Sequence, residues 1–166
     1  VDSMIHDGLW DPYGDSHMGG FGDLCAKEHS FSREDQDAFA KESYERAVKA
    51  QKEGWFKDEI APVEIAGKKG SVVVDSDEEP ARYNPEKMSQ LRPAFGKEGT
   101  VTAANASKID DGAAAVVLMS KEEAERRGLE VLGTLVADGT FAQDPKWFTT
   151  APAGAIQRAS ERAKLA

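Results

Sequence analysis

Cysteine and histidine are the side chains of this sequence best suited to nucleophilic or acid–base chemistry, and it holds one cysteine and three histidines. Cys25 and His29 are four residues apart, a spacing that would place them on one face of a helix. Two ligands do not make a zinc site, and no second pair follows them. We therefore predict that Cys25 is a small buried residue on a helix rather than a nucleophile.

Three further groups have the residue types of known sites but not their spacing. Asp15, Ser16 and His17 are the residue types of a hydrolase triad, yet immediate neighbours rarely form that geometry. The acidic segment 75–79 alternates like calcium ligands but lacks the glycine and the distant glutamate of that loop. Residues 19–22, Gly-Gly-Phe-Gly, have no lysine in P-loop spacing and are predicted to form a bend. No metal site is predicted from these groups.

The run of residues 99–119 joins a polar turn of small residues to an apolar segment. Residues 100–102 and 115–119 are β-prone, whereas Asn105, Ser107 and Gly112 favour turns and caps. The alanines between them would let another backbone or a ligand approach closely. A tight connection between strands of a buried sheet explains the same pattern without any ligand.

Read together, the motifs of this chain resemble those of the thiolases in family order. The longest matching segment, residues 97–107, contains the turn described above. The matches are DSMIHDGLWD at residues 2–11, HMG at 17–19, SREDQDAFA at 32–40, FKDEIAPV at 56–63, LRPAF at 91–95 and KEGTVTAANAS at 97–107. So many segments in the right order are more specific than any one of them.

The resemblance implies an α/β fold. Thiolases contain two related αβαβα halves, with a loop domain inserted in the first. By this resemblance, residues 1–97 form most of the loop domain, residues 98–128 return to the N-terminal half, and residues 129–166 begin the C-terminal half. Both halves are then incomplete within this chain.

Thiolase chemistry, by the same resemblance, uses a cysteine nucleophile activated by histidine, a second cysteine as acid and base, and an oxyanion hole. The motifs that carry those residues are expected before residue 1 or after residue 166. No catalytic residue is therefore assigned, and the 166 residues alone are expected to be inactive. The whole enzyme would condense two acyl-coenzyme A molecules or cleave the product by thiolysis.

The residues that match coenzyme A contacts of the family are distributed along the chain, and coenzyme A is implied as a substrate, with no prosthetic group. Pantetheine is a thin chain with two amides, which suits small apolar walls and one hydroxyl, while arginine suits adenine or phosphate. Ser107 is the strongest of these candidates. The predicted contacts are Leu9, His17, Met18, Arg82, Ala94, Phe95, Ala103 and Ser107.

Composition limits the partners. The formal net charge of −9 argues against a nucleic-acid-binding surface, which is usually basic. A single cysteine excludes an intrachain disulfide, and no segment approaches the length of an apolar membrane span. We expect a cytoplasmic protein that does not bind membranes. Its partners are then acyl-coenzyme A and the missing thiolase segments, or other copies in a dimer or tetramer.

Local signals place the secondary structure. Ser32 and Gly54 bound a helix over 33–53, with an apolar stripe of Phe39, Ala40, Tyr44, Ala47 and Val48. Further expectations are a hairpin of 61–66 and 71–75, a loop over 75–86, and a short helical turn over 86–91. We also expect a helix over 121–127, capped by Ser120 and Gly128, and a strand over 129–137. A last helix is predicted over 152–164, with Ile156, Ala159 and Ala163 facing inward.

Two functions of different classes remain open at this point. The chain is part of a thiolase-type acyltransferase; the alternatives are a noncatalytic coenzyme A-binding or assembly module, or one piece of a split enzyme. Unpaired apolar strands over 100–119 and 129–137 would make the isolated chain aggregate or bind a complementary piece.

Overall fold

The computed structural model of the chain describes residues 1–68 and 70–165. These residues form two compact units, one of Gly22–Ala106 and one of Val1–Phe21 with Ser107–Ala166. The boundaries predicted at residues 97 and 128 are not the limits of these units, and the assignment to thiolase domains stays a prediction.

The unit of Gly22–Ala106 is organised around two helices and a hairpin. Most of α1 (Gly19–Glu28) lies in it, followed by α2 (Arg33–Glu53), the strands β3 (Val63–Gly67) and β4 (Gly70–Val74), and the short α3 (Pro85–Met88). A 3₁₀ turn at Pro80–Arg82 precedes α3. Residues 89–106 then follow without a helix or strand.

Helix α2 begins and ends at the residues that its sequence predicts. Ser32 Oγ accepts a hydrogen bond from the amide of Asp35, while the Asp35 side chain accepts one from the Ser32 amide, which completes a capping box. Gly54 ends the helix with φ of 72°, a left-handed conformation that glycine adopts at little cost.

The inner face of α2 differs from the predicted apolar stripe. Ala40 is buried and Tyr44 is half-buried, but Phe39 is 78% exposed and Val48 is 37% exposed. The face is rotated because polar side chains of its first turns make hydrogen bonds to residues 88–105. Satisfied polar groups can therefore replace apolar side chains on an inward face.

The predicted hairpin is confirmed. Its first strand starts two residues later than expected, at Val63. Strands β3 and β4 are antiparallel, and Val63 pairs with Val74 while Ile65 pairs with Val72. All residues described in the two strands are exposed. Lys69, in the predicted turn, lies outside the described residues.

The second unit contains a short N-terminal hairpin and two helices. A π-helical turn at Met4–Leu9 precedes β1 (Trp10–Asp11) and β2 (Ser16–His17), which pair antiparallel. Helix α4 (Lys121–Arg127) is capped by Ser120 and Gly128, as predicted.

The last helix of the chain is confirmed over most of its predicted length. Helix α5 (Ala151–Ala163) has Pro152 in its first turn and follows a 3₁₀ segment at Pro145–Thr150. Ala159 and Ala163 are half-buried, whereas Ile156, predicted to face inward, is 66% exposed.

Several local predictions are wrong. The first concerns strands, because residues 100–102, 115–119 and 129–137 form no strand in this structure. An extended segment becomes a strand only when a neighbour bonds to its amide and carbonyl groups, and β-propensity alone does not supply that neighbour. Residues 19–22, predicted as a bend, open α1. The predicted loop over 75–86 contains the 3₁₀ turn and the start of α3.

Within the described part of the chain, the helices are either too short or too polar for a membrane span.

We expect acid to weaken the N-terminus of α2. Hydrogen bonds from the side chain and the backbone of Ser32 hold the pKa of Asp35 below its ordinary value. A lowered pKa means that the stabilisation is present above the pKa of the unfolded chain, about 4, and is lost as the pH falls through the lower folded value. NMR titration of the Asp35 carboxyl carbon measures this pKa. In Ser32→Ala the midpoint should rise toward the ordinary value, and an unchanged midpoint would contradict the capping box.

Candidate functional site

Residues 88–105 are held by polar side chains from the inner face of α2. Arg33 donates from Nη1 to the carbonyl of Leu91 at 3.1 Å and from Nη2 to the carbonyl of Met88 at 2.8 Å. Its Nε donates to Asp37 Oδ2 at 2.7 Å, one helical turn along, and both side chains are largely buried. The guanidinium thereby ties α2 to the end of α3 and to the segment that follows it.

The turn at 102–105 is built around Asn105. Its Oδ1 accepts the amide of Thr102 at 2.7 Å, and its Nδ2 donates to Asp37 Oδ1 at 2.9 Å and to the Thr100 carbonyl at 3.1 Å. Thr102 is fully buried, so its amide has no solvent to replace this acceptor. The turn predicted at this position is therefore confirmed, and it is anchored on α2.

Asp23 of α1 holds residues 100 and 101, directly before this turn. Its Oδ1 accepts the amides of Thr100 at 2.8 Å and of Val101 at 2.9 Å. A Cβ added to Gly99 would overlap the same carboxylate, lying 2.7 Å from its Cγ. Position 99 therefore requires glycine for close approach of the side chain of Asp23.

The structure brings three predicted coenzyme A contacts into this held segment. The amide of Ala94 donates to the carbonyl of Val101 at 2.8 Å, which joins the two ends of the loop. Ala94, Phe95 and Ala103 are exposed, and Phe95 keeps 39% of its surface accessible. Two small side chains and one aromatic side chain of this loop are thus exposed to solvent.

Arg82 lies outside this loop, at the end of the Pro80–Arg82 turn. Its guanidinium forms ion pairs with Glu79 at 3.2 Å and Glu78 at 3.6 Å, and its side chain is 69% exposed. A phosphate or adenine ring at Arg82 would compete with these two carboxylates. Its predicted role stays a prediction.

In the unit that contains residues 1–21, three other predicted contacts are neighbours. The amide of Met18 donates to the carbonyl of Leu9 at 2.8 Å, and His17 pairs with Trp10 across β1 and β2. His17 Nδ1 accepts the amide of Gly19 at 2.9 Å, at the start of α1. That ring nitrogen therefore accepts a backbone donor at the start of the helix, and the predicted coenzyme A contact of His17 stays a prediction.

The residues beyond Ser107 line a shallow depression in the same unit. Ser107 itself is exposed. The depression has a volume of about 600 Å³, and its walls come from the first nine residues and from the segment after Ser107. Its lining residues are Ser3, Met4, Asp7, Gly8, Leu9, Lys108, Ile109 and Asp110.

Cys25 lies in α1, as predicted, but it is half-buried rather than buried. Residues 1–68 and 70–165 contain no cluster of three His, Cys, Asp or Glu side chains that could hold a metal ion.

The long-range contacts of Asp23 and Asp37 were absent from the predicted site. Asp23 bonds to residues 77 and 78 positions away, and Asp37 to a residue 68 positions away. No local pattern marks such pairs. The one available signal is that Gly99 and Asn105 flank a run of small residues, which indicates close approach without naming the partner.

Comparison with known proteins identifies the family of this chain. A family profile described as "Thiolase, N-terminal domain" matches residues 1–122. The chain belongs to the thiolase family. Among its relatives, acetyl-CoA acetyltransferase 2 of Arabidopsis thaliana is 49% identical over 99% of this chain and 42% of its own length. The acetyl-CoA acetyltransferase of Shinella zoogloeoides is 50% identical over 98% of this chain and 42% of its own length.

Solved thiolase structures confirm the predicted α/β, thiolase-like fold. The acetyl-CoA acetyltransferase of Syntrophomonas wolfei matches with a TM-score of 0.91 at 43% identity, and that of Bacillus anthracis with 0.94 at 37%. Each match covers 99% of this chain and 42% of the other chain. This thiolase segment therefore spans about two fifths of the length of the relatives that it matches.

We expect Asn105→Ala to loosen the turn. The substitution leaves the amide of the fully buried Thr102 without its acceptor, a change that costs about 1–3 kcal/mol. The amide of Thr102 should therefore exchange with solvent at least about fivefold faster, measured by hydrogen exchange with NMR detection. Gln90→Ala, which removes an exposed amide side chain, serves as the control. Equal exchange in both variants would contradict the assigned role of Asn105.

Proposed function

We propose that this chain is part of an acyltransferase that condenses or thiolyses acyl-coenzyme A thioesters of the acetyl- and acetoacetyl-coenzyme A class. The observation that carries the proposal is the 49% and 50% identity to two acetyl-CoA acetyltransferases across nearly all of this chain. The identity is measured over nearly the whole chain, 99% and 98% of its length, rather than over one element.

The segment supplies coenzyme A contacts rather than the nucleophile. A thiolate nucleophile needs a neighbouring base or another group that lowers its pKa, together with access to the thioester. Cys25 lies half-buried within α1, and we do not assign it as the nucleophile. The nucleophile and its base would come from other segments of the thiolase fold.

The chemistry of the loop at 91–106 suits pantetheine. Ala94 and Ala103 leave room for a thin chain, and the exposed part of Phe95 offers apolar surface. The exposed hydroxyl of Ser107, next in the chain, can donate to or accept from a pantetheine amide. Each of these contacts can be tested by itself.

Further thiolase segments, from the same polypeptide or from another copy, would cover apolar residues that this chain exposes. Val116, Val117 and Leu118 are 77–84% exposed, and Leu132 is 97% exposed. Exposed apolar runs of this kind are unusual on the surface of a monomer and favour a covering partner. Such segments would turn residues 115–119 and 129–137 into strands by bonding to their backbones.

The proposed activity can be tested by thiolysis. The polypeptide that carries these residues in its source cells is purified and mixed with acetoacetyl-coenzyme A and coenzyme A, and the loss of the substrate's enolate absorbance is followed. We expect acetyl-coenzyme A as the product. Binding of coenzyme A without turnover would favour the noncatalytic module instead, and neither binding nor turnover would contradict both.

Ser107→Ala should raise the Michaelis constant for coenzyme A. Losing one hydrogen bond to pantetheine costs about 0.5–1.5 kcal/mol, which corresponds to a roughly 2- to 10-fold increase. Steady-state kinetics of thiolysis measures the change. Ser76→Ala, at an exposed bend outside the candidate contacts, is the matched control and should behave as the unmodified protein. A Michaelis constant equal to that of the control would show that Ser107 is only a turn residue.

A further inference from the structure

Asp23 of α1 is the acidic side chain that fixes the backbone of the candidate binding loop, residues 94–103. Among the described residues, the main-chain amides of Thr100 and Val101 donate hydrogen bonds to it, both to the same oxygen, Oδ1. Hydrogen bonds to a charged acceptor are stronger than those between neutral groups. One side chain therefore sets two consecutive backbone positions.

The packing around this carboxylate leaves it little freedom. Gly99 has no room for a Cβ, because that atom would overlap the Asp23 carboxylate. A Cβ on Gly22 would lie 3.2 Å from Cγ2 of Val101, so α1 approaches the loop closely there as well. Glycines at 22 and 99 thus allow α1 and the loop to come within direct bonding distance of each other.

The loop positions fixed by Asp23 lead directly to three candidate coenzyme A contacts. The carbonyl of Val101 accepts the amide of Ala94 at 2.8 Å, and Phe95 follows Ala94 in the chain. On the other side, Thr102 is fully buried and Ala103 follows it, exposed. The contacts on both sides of the loop therefore share one backbone anchor.

We propose that Asp23 is a positioning residue that holds the loop of residues 94–103 in the conformation that binds coenzyme A. This inference rests on the proposed function, since it takes the loop to contact coenzyme A. Asp23 would not touch the substrate, and its effect would pass through the amides of Thr100 and Val101. Loss of the anchor should weaken substrate binding while leaving the chemical step largely unchanged.

The test compares three variants of the polypeptide in thiolysis. If Asp23→Ala leaves the loop in its binding conformation for about a tenth of the time, the Michaelis constant for coenzyme A rises about tenfold, with kcat within about twofold. Asp23→Asn keeps an oxygen that can accept both amides. Its Michaelis constant should therefore lie between those of the unmodified protein and Asp23→Ala. Glu28→Ala removes an exposed carboxylate from the same helix and should match the unmodified protein.

Hydrogen exchange separates a positioning role from a merely structural one. In Asp23→Ala we expect faster exchange at the amides of Thr100 and Val101 together with the raised Michaelis constant. Faster exchange with an unchanged Michaelis constant would overturn the positioning role, and so would unchanged exchange. An unmodified protein that does not bind coenzyme A would overturn the proposed function, and the positioning role with it.

Gly99→Ala provides a second variant should Asp23→Ala fail to fold. The added methyl group displaces the carboxylate without removing it, and we expect a similar rise in the Michaelis constant for coenzyme A. In the double variant Asp23→Ala/Gly99→Ala the methyl group meets no carboxylate. Adding Gly99→Ala to Asp23→Ala should therefore raise the Michaelis constant less than Gly99→Ala does in the unmodified protein. Unchanged binding in Gly99→Ala, with folding intact, would overturn the proposal.

Discussion

The ion pair between Arg33 and Asp37 is the interaction on which the organisation of the unit of Gly22–Ala106 depends. Asp37 accepts from Arg33 through Oδ2 and from Asn105 through Oδ1, while the remaining nitrogens of Arg33 reach the carbonyls of Leu91 and Met88. The two side chains are only 20% and 16% exposed. Removing Arg33 would take one donor from Asp37 and one from the carbonyl of Leu91, whereas removing Asp37 would take an acceptor from both Arg33 and Asn105. Removing one partner is the costly way to disrupt a buried pair.

Polar contacts carry this organisation because the unit buries few large apolar side chains. Among the described residues its buried apolar side chains are those of Ala26, Ala40, Ala50, Pro80 and Met88, and three of these five are alanines. Apolar contact is not directional, whereas hydrogen bonds fix both distance and angle. A loop anchored in this way keeps its backbone in place while its small side chains stay accessible, as binding to a thin substrate requires.

Prediction from sequence succeeded where the determining contacts are local. Helix α2 lies between Ser32 and Gly54, and α4 between Ser120 and Gly128, because caps act within one turn of the helix ends. The hairpin was predicted from two short β-prone runs around a turn. Residues 129–137 were predicted as a strand from composition, but a strand also needs a partner at hydrogen-bonding distance.

By itself the sequence determined the family, the helix ends and the order of the candidate binding motifs, since each depends on residues close together in the chain. Only the tertiary structure decided which face of α2 turns inward and which side chains hold the loop. Asp23 and Thr100 are 77 positions apart, as Asn105 and Asp37 are 68. Pairs at such separations follow from the path of the backbone, because no local propensity distinguishes these aspartates from the exposed acidic residues around them.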